Sequence, residues 1–288
     1  MSKPNCGDFE ASTPGCFDGR VPVCPVPPRL MRRTKTKGMP VYAREPKFYG
    51  EGLPSVPPGS TLSGRLIVIE GPDNVGRSTL MQMLHDEMEH RGHAVSSTGF
   101  RRSDLTRDGL EQARKGNTLG PRTMALFYAT DFADRLERQI IPAMRAGFWV
   151  LSDRYFYSIG ARDMARGADR EWIRKLYGFA LIPDLIVYLR ASVDDLVPRA
   201  LAGRGFDYWE SGMDLGLADN LYDSFRIYQQ KLIDLFDGMV EPFNFQVVDA
   251  SRPVESVYRD VRRLVLALED DATPKETPDD RPGTRRRR

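Results

Sequence analysis

Cysteine is confined to the start of this chain, long apolar runs are missing, and neither sign of charge is in excess. The three cysteines, Cys6, Cys16 and Cys24, all precede residue 25, and no histidine lies near them. An odd count clustered in a Pro/Gly-rich stretch does not build a disulfide framework. A zinc site would need a fourth ligand, so free thiols in a flexible leader are the expectation. No apolar stretch approaches the roughly 20 residues that span a bilayer. The first residues are interrupted throughout by Pro, Gly and charge, unlike a secretory signal. Lys and Arg number 42 against 40 Asp and Glu, a formal net charge of +2. That balance gives no general reason to expect a nucleic-acid or membrane partner. The expectation is a cytoplasmic enzyme acting on a small molecule.

What is present divides the 288 residues into three parts. Residues 1–62 are rich in Pro and Gly, show no sustained period and contain the basic run RLMRRTKTK (29–37). They are expected to be a disordered extension. Residues 269–288, acidic, Pro-containing and closed by four arginines, are expected to be a disordered tail. Between them, residues 63–268 alternate short apolar β-branched runs with helical periodicity. The runs are RLIVIE (65–70), a weaker one at 94–98, FWVLS (148–152), LIVYL (185–189) and FQVV (245–248). Helical patterns cover about 78–91, 121–144, 157–180, 193–202, 217–236 and 253–268. The expected fold is α/β: one doubly wound, five-stranded parallel sheet with helices on both faces.

Three segments carry chemistry. Gly71-Pro72-Asp73-Asn74-Val75-Gly76-Arg77-Ser78-Thr79 follows an apolar strand and opens a helix. It fits the phosphate-loop pattern G-x-x-x-x-G-K-[ST] except for Arg77 in the lysine position. Gly71 and Gly76 permit a tight turn whose backbone N–H groups, from Asn74, Val75 and on to Thr79, can converge on an anion. Ser78 can ligate Mg²⁺, and the charge of Arg77 can neutralise the outer phosphates of ATP. Arginine keeps that charge but is longer and planar. A working enzyme and a nucleotide-binding relic are therefore both open. Asp153-Arg154-Tyr155 follows the third strand, where the crevice of a parallel sheet lies. A carboxylate there can hold Mg²⁺ through water, and an arginine can hold an acceptor phosphate. Residues 199–210 (RALAGRGFDYWE) suit a mobile lid bringing Arg204 or Arg199 to the transferring phosphate, or an ordinary exposed loop.

In order and spacing, residues 64 to 268 resemble the thymidylate kinase family of nucleoside-monophosphate kinases. The resemblance rests on Ile69-Glu70-Gly71-Pro72-Asp73, Leu126-Phe127, 141–147 (IPAMRAG), Asp153-Arg154-Tyr155 with Ser158, Pro183-Asp184-Leu185 with Tyr188-Leu189, and Val248-Asp249-Ala250. It implies ATP and Mg²⁺ as cofactors, dTMP as acceptor and, commonly for such proteins, a homodimer. It also implies roles. Asp73 reaches the acceptor's sugar, Asp153 stands by Mg²⁺, Arg154 and either Arg101 or Arg102 grip the acceptor phosphate, Phe127 or Tyr128 stacks on the base, and Asp249 lies in the adenine-side loop. Asp207-Tyr208-Trp209-Glu210 matches the lid's acid-x-x-Glu.

The departures fall on the acceptor side. The turn after the second strand lacks the family's Glu-Pro. The position of the base-reading arginine holds Asp131 or Phe132, depending on the direction of counting, with Arg135 a turn further on. Arg162-Asp163 replaces a Tyr-Gln pair. Another nucleotide or nucleoside acceptor, and a weakly active regulator, stay open beside dTMP. A switch GTPase does not, since no Asn-Lys-x-Asp motif follows a late strand.

Overall fold

The structure, a computed structural model, describes residues 43–101, 103–116 and 119–270. Five strands form one all-parallel sheet in the order β2-β3-β1-β4-β5: β1 (Arg65–Glu70), β2 (Val95–Gly99), β3 (Trp149–Asp153), β4 (Leu185–Arg190) and β5 (Gln246–Asp249). β1 is central and buried along its whole length. Its side chains alternate between two cores: Leu66 and Val68 enter one, Ile67 and Ile69 the other. A strand covered on both faces therefore reads as a continuous apolar run. Ile69 pairs with Asp153 on one side and Val187 on the other, which brings the ends of three strands to one edge.

The helices are α1 (Arg77–His90), α2 (Arg107–Gly116), α3 (Pro121–Arg135), α4 (Ile141–Arg145), α5 (Phe156–Ala165), α6 (Arg170–Leu176), α7 (Val193–Ala202), α8 (Leu221–Asp237), α9 (Val240–Phe243) and α10 (Val254–Asp270). α1, α7 and α10 bury Leu84, Leu196 and Val261 on one face of the sheet. α3, α4 and α5 bury Phe132, Met144 and Ile159 on the other. α8 serves both, with Tyr228 and Leu232 in one core and Phe225 and Ile233 in the other. A Ser192–Asp195 capping box starts α7 at the end of the β4 turn. No helix among the described residues is long and apolar enough to cross a membrane.

The helix expected over 121–144 is continuous but not uniform. Residues Leu136–Ile140 form a π-helical turn between α3 and α4. Pro142 follows directly; its ring conflicts with the carbonyl four residues back, and a wider turn relieves that conflict.

Residues 43–62, expected within a disordered extension, are instead packed against the domain. Arg44 and Leu62 bond each other reciprocally, and Phe48 bridges to Leu181. Leu53, Val56 and Leu62 enter the core, and the Tyr49 and Tyr157 hydroxyls lie 2.6 Å apart. Apolar anchors so widely spaced leave no period to read. The tail also begins later than residue 269: α10 runs on to Asp270, and Glu269 accepts from Arg91 and His93. The remainder of both expected tails lies outside the described residues.

Asp184 ties this strap to the sheet. Buried at the foot of β4, it accepts from Arg44 at 2.7 Å, Arg65 at 3.0 Å and the Leu66 N–H at 2.7 Å. Removing a buried carboxylate leaves cations uncompensated. Asp184→Ala is therefore expected to cost about 3 kcal/mol of stability, read as the shift in urea midpoint. A loss below about 1 kcal/mol would show that the strap is not held by this acid.

Candidate active site

β1 ends in Glu70, and the chain turns at once. Gly71 has φ +147°, and a Cβ there would lie 2.6 Å from the Leu189 carbonyl oxygen, so no side chain fits. Asn74 and Gly76 also have positive φ, +63° and +99°. α1 starts at Arg77 with no side-chain cap on its first N–H groups, which leaves them for an anion. Beneath the loop, Glu70 is fully buried and accepts from the N–H groups of Tyr155 and Ser158 and from the Ser158 hydroxyl. Burial lifts its carboxyl to about 7 despite these donors. Glu70 thus fastens the phosphate loop to the start of α5.

Arg77 does not extend along α1. Its Nε donates to Asp153 Oδ1 at 2.8 Å, and one terminal nitrogen donates to the Gly71 carbonyl at 2.6 Å and to the Pro72 carbonyl. Asp153, at the end of β3, keeps 29% of its side chain exposed. Ser78 and Asp153 line one cavity of about 340 Å³ together with Gln82 and Thr98. One hydroxyl and one carboxylate suit Mg²⁺, a cation that retains most of its waters and takes few protein ligands.

Arg154 sits in the left-handed region, φ +71°. Its N–H donates to the Ile69 carbonyl at 3.0 Å, and its own carbonyl accepts from the Ser152 hydroxyl at 2.6 Å. These bonds hold a conformation that otherwise costs about 1–2 kcal/mol. The Arg154 guanidinium bonds Asp73 Oδ1. Arg162, two turns into α5, grips both Asp73 oxygens at 2.8 and 2.7 Å. Gln229 of α8 adds a bond at 3.2 Å to Oδ2. Against the cost of burial, Arg154, Arg162 and Arg77 hold Asp73 well below the usual carboxylate range. Asp73 was expected to reach a sugar; here it gathers two arginines at the phosphate loop.

Arg162 also lines a cavity walled by Phe100, Met124, Tyr128, Ile159 and Trp209. Tyr128, expected as a stacking residue, is at this wall. Phe127 is not: it packs against Gly109 of α2. Successive helical residues point about 100° apart, so only one of the pair can face the cavity. Arg101 has φ +55° and donates its N–H to Asp131 at 3.2 Å. Its guanidinium lies in the field of Arg114 and Arg162, and burial together with Arg114 draws its pKa down. Arg102 lies outside the described residues. Asp131 accepts from Ser103, Thr106 and Arg135, which fixes the loop after β2. Phe132 is in the core.

On the donor side, a cavity of about 570 Å³ is bounded by Gly76, Thr79, Leu189, Ala250, Arg252 and Pro253. Arg199 donates to the Ala250 carbonyl at 2.8 Å and leans toward Val75 O at 3.4 Å, joining this loop to the phosphate loop. It braces the donor side from α7 and lines this cavity. Asp249, expected to bind the nucleotide, instead turns back to accept from the N–H and hydroxyl of Ser251. It shapes the loop but does not line the cavity. Arg204 is exposed and forms no ion pair among the described residues. Asp207 caps its own turn by accepting from the Trp209 and Glu210 N–H groups, and the Trp209 indole bonds the Arg114 carbonyl at 3.0 Å. The 203–210 segment thus closes over α2 and the aromatic cavity.

Sequence reasoning singled out Arg77, Asp73, Asp153 and Arg154, and the structure brings them together. It missed Gln229, 156 positions from Asp73, for which no local signal exists. Arg162 was visible only as a departure from a pattern, although it follows Arg154 by two helical turns.

A parallel sheet in this order, a phosphate loop after its central strand, and clefts on both sides of a strand-end Asp-Arg define a phosphate-loop kinase of the nucleotide-kinase class. The family profile described as "Thymidylate kinase" matches residues 69–261. Similar proteins include "Probable thymidylate kinase 2" of Saccharolobus solfataricus, 35% identical over 206 residues, covering 71% of this chain and 96% of that one. "Thymidylate kinase" of Bacillus pumilus is 30% identical over 71% of this chain and 96% of its own length. "Probable thymidylate kinase" of Thermococcus gammatolerans is 32% identical over 70% and 96%. The chain belongs to the thymidylate kinase family.

Proposed function

We propose that this chain transfers the γ-phosphoryl group of ATP to the phosphate of dTMP, yielding dTDP and ADP. One observation carries the proposal beyond nucleotide binding. A single phosphate-loop carboxylate, Asp73, holds both Arg154 and Arg162, and Arg162 lines the aromatic cavity. Donor loop and acceptor cavity are thereby joined through two cations, as transfer between two phosphates requires.

In this reading ATP lies with its phosphates on Gly71–Thr79 and its base toward Ala250–Pro253. Ser78 and Asp153 would hold Mg²⁺, which neutralises charge on the donor phosphates. An acceptor phosphate oxygen attacks the γ-phosphorus; that bond forms as the bond to the β-phosphate oxygen breaks, and ADP leaves. The acceptor oxygen is already anionic at neutral pH, so no general base is needed. Arg154 orients it, and Arg77 offsets developing charge. Arg101 and Arg204 contribute only if the lid closes further. A cytoplasmic enzyme, dimeric as family members commonly are, completes the proposal.

The test is ADP release with dTMP, dUMP, UMP, CMP, AMP and GMP offered singly. Release with dTMP well above the others is expected. ATP binding without release in any of them would leave the regulator reading, which the engagement of Arg77 with its own loop favours.

A further inference from the structure

The Asp153-Arg154 turn is held from two sides. On one side Glu70 accepts from the N–H groups of Tyr155 and Ser158 and from the Ser158 hydroxyl. On the other the support comes from the strap at 43–62. The Tyr155 hydroxyl donates to the Leu181 carbonyl at 2.9 Å. The stretch 180–182 is in turn bonded to the strap: the Tyr49 N–H donates to the Ala180 carbonyl at 3.1 Å, and the Ile182 N–H to the Lys47 carbonyl at 2.8 Å. Gly50 lies so close to Gly178 that a Cβ on it would come within 3.1 Å of the Gly178 Cα. The Tyr49 ring stands edge-on to Phe156 and Phe243, each at 5.3 Å between centroids. Its hydroxyl is the one partner of the Tyr157 hydroxyl among the described residues. Phe156 and Tyr157 are buried and open α5 directly after the turn. The family profile begins at residue 69, so the strap lies outside the matched region.

We propose that Tyr49 is a positioning residue for phosphoryl transfer: it seats the first turn of α5 and through it aims the Arg154 guanidinium. This rests on the kinase reading above. Arg154 has φ +71°, a conformation that its surroundings must impose. Its N–H is fixed to the Ile69 carbonyl, but the chain leaves it straight into α5, and an α5 free to shift carries the turn with it. A group misplaced by about 1 Å loses on the order of 10²-fold in rate. Edge-on ring contacts and a hydroxyl pair fix an orientation that apolar bulk alone does not. The donor cavity at Ala250–Pro253 shares no residue with this support, so ATP binding is independent of it.

The experiment is single-turnover phosphoryl transfer to dTMP by the full chain, in a double-mutant cycle of Tyr49→Ala with Arg154→Ala. Tyr49→Ala is expected to lower the transfer rate by about tenfold or more, with ATP affinity within about twofold of wild type. In the Arg154→Ala background the same change should lower the rate by less than about twofold, since the group it positions is gone. Tyr49→Phe keeps the ring and should hold the rate within about threefold of wild type. Arg44→Ala loosens the strap at its bond to Asp184; it should lower the melting temperature and leave the rate within about twofold. If Tyr49→Ala does not fold, Tyr49→Leu keeps apolar bulk without the ring and takes its place in the cycle. A variant that melts earlier but transfers at the normal rate overturns the assignment and leaves the kinase reading standing. So does a rate loss that is equal with and without Arg154. No transfer to dTMP by the wild-type chain overturns both.

Discussion

Arg154→Ala is expected to lower kcat by about 10³-fold while leaving ATP affinity within about threefold of wild type. The first figure follows from what a single arginine contributes when it neutralises charge on a transferring phosphoryl group in a site shielded from water. The second follows from placement. The uncapped N–H groups of α1 and the donor cavity at Ala250–Pro253 are built without Arg154. The fold should survive, because Asp73 keeps both bonds from Arg162 and one from Gln229. Arg154→Lys should recover only part of the rate. Lysine keeps the charge but cannot hold Asp73 and a phosphate with two arms of one planar group. Single-turnover rates and an ATP titration check both statements. A near-normal rate in the alanine variant would remove Arg154 from the mechanism.

Where sequence reading succeeded and failed follows from how far each signal reaches along the chain. β1 was legible because both its faces are covered, which leaves six successive residues with no position for a polar surface side chain. The phosphate loop was legible because its glycines answer a backbone demand felt at one position: the 2.6 Å approach of Leu189 O to any Cβ at Gly71. α2 was not legible. It buries only Leu110 and Ala113, too thin a stripe to register against its charges. Missing α2 cost a site residue as well, since Phe127 packs on that helix and Tyr128 is left to face the cavity. The strap at 43–62 was unreadable for another reason. Its anchors meet partners more than 100 positions away, Tyr49 on Tyr157 and Arg44 on Asp184, so no local pattern announces them. Arg199 and Asp249 carried the right chemistry in the right region. Asp249 is turned onto Ser251 and shapes the loop, whereas Arg199 braces Ala250 from a place in the donor cavity's own wall.

Arg77→Ala is expected to cost about 10²–10³-fold in kcat, whereas Arg77→Lys should keep the rate within about tenfold of wild type or raise it. The positive charge beside the outer phosphates is common to arginine and lysine; the fork is not. Here Nε of that fork lies on Asp153 and one terminal nitrogen lies on the Gly71 and Pro72 carbonyls, so two of its three nitrogens are turned onto the loop and the strand end. The second terminal nitrogen is left to serve the donor phosphates, while Nε stays on the carboxylate that would hold Mg²⁺. A lysine ammonium, a point donor, cannot reach from Asp153 to both carbonyls at once. It should therefore meet the phosphate with its charge while bracing the loop less, by about 1 kcal/mol for the lost hydrogen bonds. The pair of variants separates charge from shape. Loss of activity in both would give the guanidinium a role that an ammonium cannot fill. Activity unchanged in both would mean that position 77 braces the loop and the charge on the γ-phosphoryl is met by Arg154 alone.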